Sequence, residues 1–99
     1  MSTTALDGIR VLDFTRVLAG PYCTVLLGDL GAEIIKIENP EGGDDTRGFN
    51  VSPTLEFSTY FLAVNRNKKS IAIDIREEAG GEAIRALAAK ADIVVENYR

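Results

Sequence analysis

Residues 11–39, VLDFTRVLAGPYCTVLLGDLGAEIIKIEN, read as a strand, a tight turn, a helix and a second strand. Ile9, Val11, Leu12 and Phe14 form a nearly continuous apolar run, the pattern of a strand buried on both faces of a parallel sheet. The period then changes. Gly20 and Pro21 punctuate the chain, and Tyr22, Val25, Leu26 and Leu30 recur at helical spacing until Gly31. Proline at the start and glycine just past the end are the steric boundary signals of a helix. Glu33 to Glu38 is rich in isoleucine again, so the unit is β-α-β. Thr15 to Gly20 therefore fall at the carboxyl end of the first strand, where open α/β sheets bind ligands. Arg16 is expected there, placed to meet an arriving carboxylate or phosphate.

Outward from this unit, Asn39-Pro40 ends the second strand, because proline supplies no ladder donor and restricts the residue before it. Residues 40–57 have no clean period and read as a long loop, of the kind that tends to be functional or mobile. Residues 58–64, STYFLAV, are too short for periodicity to separate helix from strand. A helix is preferred, because a parallel neighbour requires a crossover. Residues 65–69, NRNKK, read as a polar, basic turn, and Ile71, Ile73 and Ile75 alternate with polar or small residues as a third strand. Residues 77–91 read as a helix with Ile84, Leu87, Ala88 and Ala91 on one stripe. Gly80 and Gly81 weaken its first turn by roughly 1 kcal/mol each relative to alanine, which points either to a close approach or to late initiation. Ile93, Val94 and Val95 read as a fourth buried strand, and residues 1–7 as a loosely held polar start.

The order β-α-β-loop-α-β-α-β is that of the first portion of a doubly wound, Rossmann-like α/β fold, with a parallel sheet in the order 3-2-1-4 and helices on both faces. A chain stopping just after a buried strand reads as the amino-terminal, incomplete part of one domain over residues 1–99. Ninety-nine residues suit one small domain but are few for a complete α/β enzyme. With 15 acidic and 11 basic residues the net charge is −4, which argues against a general nucleic-acid surface. The single cysteine, Cys23, can form neither an internal disulfide nor a CxxC site; it reads as a packed core residue in a cytoplasmic-type compartment. The sequence contains no histidine, so hydrolytic triads and zinc chemistry are not expected in this stretch. Residues 1–10, MSTTALDGIR, carry neither an apolar run nor a basic leader, so no secretory signal and no membrane span are expected.

Several residue groups invite chemistry. Glu38 ends the second strand where an acid could hold a ribose hydroxyl, but the turn reads TRVLAGP and lacks the G-x-G-x-x-G pattern, so a solvated strand end is preferred. Residues 42–47, GGDDTR, read as a solvated turn and a poor metal site, since adjacent aspartates point apart. Arg66, Lys68, Lys69 and Arg76 flank the third strand as a surface cluster able to meet a phosphate-bearing ligand.

With these residues placed, the sequence resembles the amino terminus of the class III CoA-transferases, the family that includes formyl-CoA transferase, carnitine CoA-transferase and the 2-methylacyl-CoA racemases. The resemblance rests on residues 6–38, LDGIRVLDFTRVLAGPYCTVLLGDLGAEIIKIE, on GGDDTR at 42–47, NRNKKSIAID at 65–74 and ADIVVENYR at 91–99. It implies a CoA-binding domain within a chain about four times this length, an interlocked homodimer, and CoA or acyl-CoA as a substrate with no tightly bound cofactor. It also implies an aspartate nucleophile beyond Arg99, so that no catalytic residue lies here. By position, Leu18 and Ala19 should approach the pantetheine and thiol end, and Ile73, Asp74, Ile75 and Arg76 the adenine and phosphate end. Asn97, Tyr98 and Arg99 should contact CoA. Asn39 stands where several members carry arginine beside the adenine or phosphates, and Lys68 or Lys69 would compensate. Arg16 stands where formyl-CoA transferase has histidine; with Leu18 it resembles instead a broader set of members that includes a succinate-hydroxymethylglutarate CoA-transferase, which suggests a dicarboxylate acceptor. The racemase branch, which shares the CoA site, and a non-catalytic CoA-binding or assembly module are the alternatives.

Overall fold

The computed structural model describes residues 3–49 and 56–99. Four strands, β1 (Arg10–Asp13), β2 (Glu33–Glu38), β3 (Lys68–Ala72) and β4 (Ile93–Val95), form one parallel sheet in the order β3-β2-β1-β4. They alternate with α1 (Ala19–Asp29), α2 (Thr59–Asn65) and α3 (Glu78–Ala89). This is the expected α/β architecture and strand order, with the short 58–64 run a helix. Within the 40–57 loop, a single 3-10 turn spans Asp45–Gly48; residues 50–55 of that loop lie outside the described residues. No helix among the described residues is long and apolar enough to cross a membrane.

Successive residues of a strand point to opposite faces, so each strand feeds two cores. On one face Val11, Ala32 and Ile34 pack with Leu27 of α1; on the other Leu12, Ile35 and Ile37 pack with Ile84, Leu87 and Ala88 of α3, and with Ala91 just beyond it. Burying each of these larger aliphatic side chains contributes roughly 1.5–3 kcal/mol. Leu6 packs on the first cluster and its N–H donates to Leu30 O at 2.9 Å, so the expected loose start is tied down at Leu6, while residues 1–2 of it lie outside the described residues.

Four other expectations change. β3 begins at Lys68, inside the presumed basic turn, and ends before Ile73, because it is an edge strand whose polar residues meet partners or water. β4 is not buried: Ile93 and Val94 are exposed on the opposite edge. In α1 only Val25 of the apolar stripe is buried, whereas Tyr22, Leu26 and Leu30 are exposed. The helix turns Gly20, Pro21, Thr24 and Val25 inward instead, so Cys23 is exposed and not a core residue.

Candidate functional site

The face of the sheet beneath α1 is divided along its length. Near the amino ends it carries Val11 and Ile34; two residues on, the same face carries Asp13, Lys36 and then Glu38. Charges on a covered face must be paired and hydrogen-bonded, and these are. Asp13 accepts from Thr15 N–H at 2.8 Å, from the Thr15 hydroxyl, from Thr24 Oγ1 at 2.6 Å, and pairs with Lys68 Nζ at 3.2 Å. Lys36 donates to Thr15 O and to Asp44 Oδ2, both at 2.9 Å, with Lys36 and Asp44 side chains 1% exposed. Removing one partner of such a pair costs about 3–5 kcal/mol, since the other is left buried and uncompensated.

Asp44 also accepts from Thr46 N–H at 3.0 Å and Thr46 Oγ1 at 2.8 Å. Burial pushes its carboxyl up, but these donors and Lys36 hold it below the ordinary carboxylate range. Glu38 accepts from Asp44 N–H at 2.9 Å, from Arg47 through two bonds at 2.8 and 2.7 Å, and from Ser70. Arg47 in turn lies 4.0 Å from the Phe61 ring centroid, a cation–π contact that ties the loop to α2. Thus Glu38 is not a solvated strand end, and GGDDTR is not a solvated turn: Asp44 and Thr46 are buried. Gly43, at φ 73°, leaves space that a Cβ would take from Arg47 at 3.0 Å.

This ionic half of the sheet supports the turn after β1. Val17 sits at φ 72°, where a left-handed conformation costs an L-residue about 1–2 kcal/mol and a β-branched one is an outlier. From there α1 begins with no side-chain cap and no acid in its first turn. Two clefts border the turn. One, of about 300 Å³, is lined by Arg16, Asn39, Asp74, Ile75, Arg76 and Tyr98 among others. The second, wider, of about 730 Å³, is lined by Arg16, Val17, Leu18, Ala19, Asn97, Tyr98 and Arg99 among others. Arg16 and Tyr98 border both, with the guanidinium 5.7 Å from the ring centroid.

Ten of the eleven expected site residues thus meet at one sheet edge. Ile73 does not join them; it packs on the Leu12, Ile35 and Ile37 cluster, and Ile75, half exposed, offers the apolar surface in the cleft. Arg76 is exposed but pairs with Asp74 through bonds of 3.0 and 3.2 Å, which raises the guanidinium pKa and lowers that of the carboxyl. The Asn39 side chain closes the loop by accepting from Glu41 N–H at 2.9 Å. The suggested compensation by Lys68 or Lys69 fails. Lys68 points inward to Asp13 and Asn65, burial lowering its pKa; Lys69 binds Glu33 and Arg66 binds Asp29, both away from the cleft edge. The residues that sequence reasoning missed are Asp13, Lys36 and Asp44. The signal for Asp13 and Lys36 is a lone charge inside an apolar run, as in VLDF and EIIKIE; Asp44, within the polar GGDDTR, carries no such signal. Among the described residues no group of three or more acidic, cysteine or histidine side chains is arranged to hold a metal ion.

An open parallel sheet with clefts outside its strand carboxyl ends is the arrangement in which α/β proteins as a class bind their ligands. The chain belongs to CoA-transferase family III, whose model matches residues 6–99. It is 56% identical over 97 residues to a succinyl-CoA:glutarate CoA-transferase of Mus musculus, covering 98% of this chain and 22% of that protein. It is 48% identical over 96 residues to a formyl-CoA:oxalate CoA-transferase of Rhodopseudomonas palustris, covering 97% of this chain and 23% of the relative. A crystal structure of a CAIB/BAIF family protein from Brucella suis superposes with a TM-score of 0.90 at 46% identity, over 98% of this chain and 26% of that one. The chain therefore spans about a quarter or less of the length of these relatives.

Proposed function

We propose that this chain is the amino-terminal part of the CoA-binding domain of a class III CoA-transferase, which moves CoA between an acyl-CoA thioester and a small carboxylic acid. The observation that carries the reading is the coincidence of a family match over residues 6–99 with two adjoining clefts at the sheet's carboxyl edge. In this reading Leu18 and Ala19 receive the pantetheine and thiol end in the wider cleft. Ile75 and Arg76 receive the adenine and phosphate end in the narrower one, with Asp74 orienting Arg76 and Asn39 on the rim. Tyr98 and Arg99 flank the ligand between them. CoA is a substrate here and not a resident cofactor.

The covalent step belongs to an aspartate further along the full-length chain. Its carboxylate attacks the thioester carbonyl, giving a mixed anhydride and CoA thiolate. The thiolate then attacks the aspartyl carbonyl, releasing the donor acid and leaving an aspartyl-CoA thioester that the acceptor carboxylate resolves. A dicarboxylate acceptor is supported by relatives named for glutarate, in mouse at 56% and in Agrobacterium fabrum at 45% identity. A homodimer acting in the cytoplasm completes the proposal.

The test is to incubate the full-length protein with succinyl-CoA and trap with hydroxylamine. One aspartyl hydroxamate is expected by mass spectrometry, formed only with the thioester present. A racemase would instead exchange the substrate α-proton with deuterated solvent and leave no hydroxamate, and either outcome without the other separates the two branches.

A further inference from the structure

The backbone from Thr15 to Val17 is held by side chains and not by a neighbouring strand. Thr15 N–H donates to Asp13 Oδ1 at 2.8 Å, and Thr15 O accepts from Lys36 Nζ at 2.9 Å. Arg16 N–H donates to Asn97 Oδ1 at 3.0 Å, and Arg16 O accepts from Asn97 Nδ2 at 2.8 Å. Val17 N–H reaches Asp44 Oδ1 at 3.4 Å. Consecutive polar groups of one short turn are thus tied to β1, β2, the 39–48 loop and the segment after β4. Val17 lies at the end of this series in the left-handed region, at φ 72°. Glycine would adopt that conformation freely, whereas valine persists there only where its surroundings over-determine it.

We propose that Asn97 is a positioning residue. Its amide clasps the backbone of Arg16 on both sides and so, with Lys36 and Asp44, holds Val17 left-handed and sets Leu18 and Ala19 along the wider cleft. The role of this turn in binding rests on the acyl-CoA reading above; the clasp itself does not. An Asn97 side chain with Oδ1 and Nδ2 both engaged on Arg16 acts on a ligand through the turn, leaving direct contact to Tyr98 and Arg99.

The experiment compares the full-length protein with Asn97→Ala, Val17→Gly and the double variant. Asn97→Ala is expected to raise the acyl-CoA KM roughly tenfold at nearly unchanged kcat, the factor set by a left-handed penalty on an unheld valine. Adding Val17→Gly should recover most of that loss, because glycine needs no clasp to take the conformation. An Asn97→Ala KM equal to the parent's, or a double variant no better than Asn97→Ala, overturns the proposal. Amide exchange reads the clasp independently of activity: the Arg16 N–H should be protected in the parent and exchange fast in Asn97→Ala, and an unprotected parent amide overturns it. A parent that moves no CoA between acids sinks the transferase reading alone. The clasp is then judged by that amide and by whether glycine at 17 restores the melting temperature lost in Asn97→Ala.

Discussion

Glu38 is a carboxylate kept ionised by its neighbours, and this fixes how the protein answers acid. Burial alone would raise its pKa, but hydrogen bonds from Arg47, Ser70 and Asp44 N–H, with the Arg47 charge, bring it down from 4.5 to about 2. A folded-state pKa below the unfolded one stabilises fully above the unfolded value, and the gain disappears as pH falls through the folded value. The Glu38 contribution is therefore complete above pH 4.5 and lost toward pH 2. Arg47→Met should lower stability at neutral pH and flatten its decline between those two values, leaving a residual slope from Asp44, whose carboxyl is also held low. Urea midpoints at several pH values in that window check this; an unchanged slope removes Arg47 as the cause. The sequence gives little warning of Glu38's burial, because a charged residue at a strand end is ordinarily solvated and only the fold brings Arg47 and Ser70 to it.

At the scale of elements, the two glycines of α3 separate two causes that spacing leaves together. A Cβ on Gly80 would run into the Asp74 carbonyl, whereas one on Gly81 would meet only the flexible end of Arg85 at 3.5 Å. Gly80 is the close approach and Gly81 merely a weak helix former. Gly81→Ala should stabilise by about 0.5–1 kcal/mol, and Gly80→Ala should destabilise by about 1–3 kcal/mol, as overpacking does, while displacing the Asp74-Arg76 loop. Chemical denaturation of both variants checks the pair, and equal effects would refute the distinction. The β-α-β unit and the strand order were legible because buried parallel strands and a helix impose different periods on the same chain. The edges were not. Lys68 and Lys69 look like a turn because an edge strand tolerates charge, and Tyr22, Leu26 and Leu30 look like a buried stripe because apolar periodicity does not say which side of a helix faces the sheet.

Considered whole, the described molecule leaves apolar surface on two sides: Tyr22, Leu26 and Leu30 along α1, and Ile93 and Val94 on the β4 edge. Residues 1–99 produced alone should self-associate in sedimentation velocity, and a Leu26→Lys, Val94→Lys double variant should shift them toward monomer. A monomeric parent segment would contradict this. The clefts were legible in outline, since topology alone puts the ends of β1, β2 and β4 together; the ionic support beneath them was not, because its members are scattered from Asp13 to Lys68. Asn97, finally, reaches Arg16 across 81 positions of sequence. On a ribosome the turn emerges well ahead of Asn97, so its clasp arrives only after β4, the partner of β1, has been synthesised. The turn after β1 is therefore complete only once residue 97 has emerged, and a nascent chain halted before it carries the turn without its clasp.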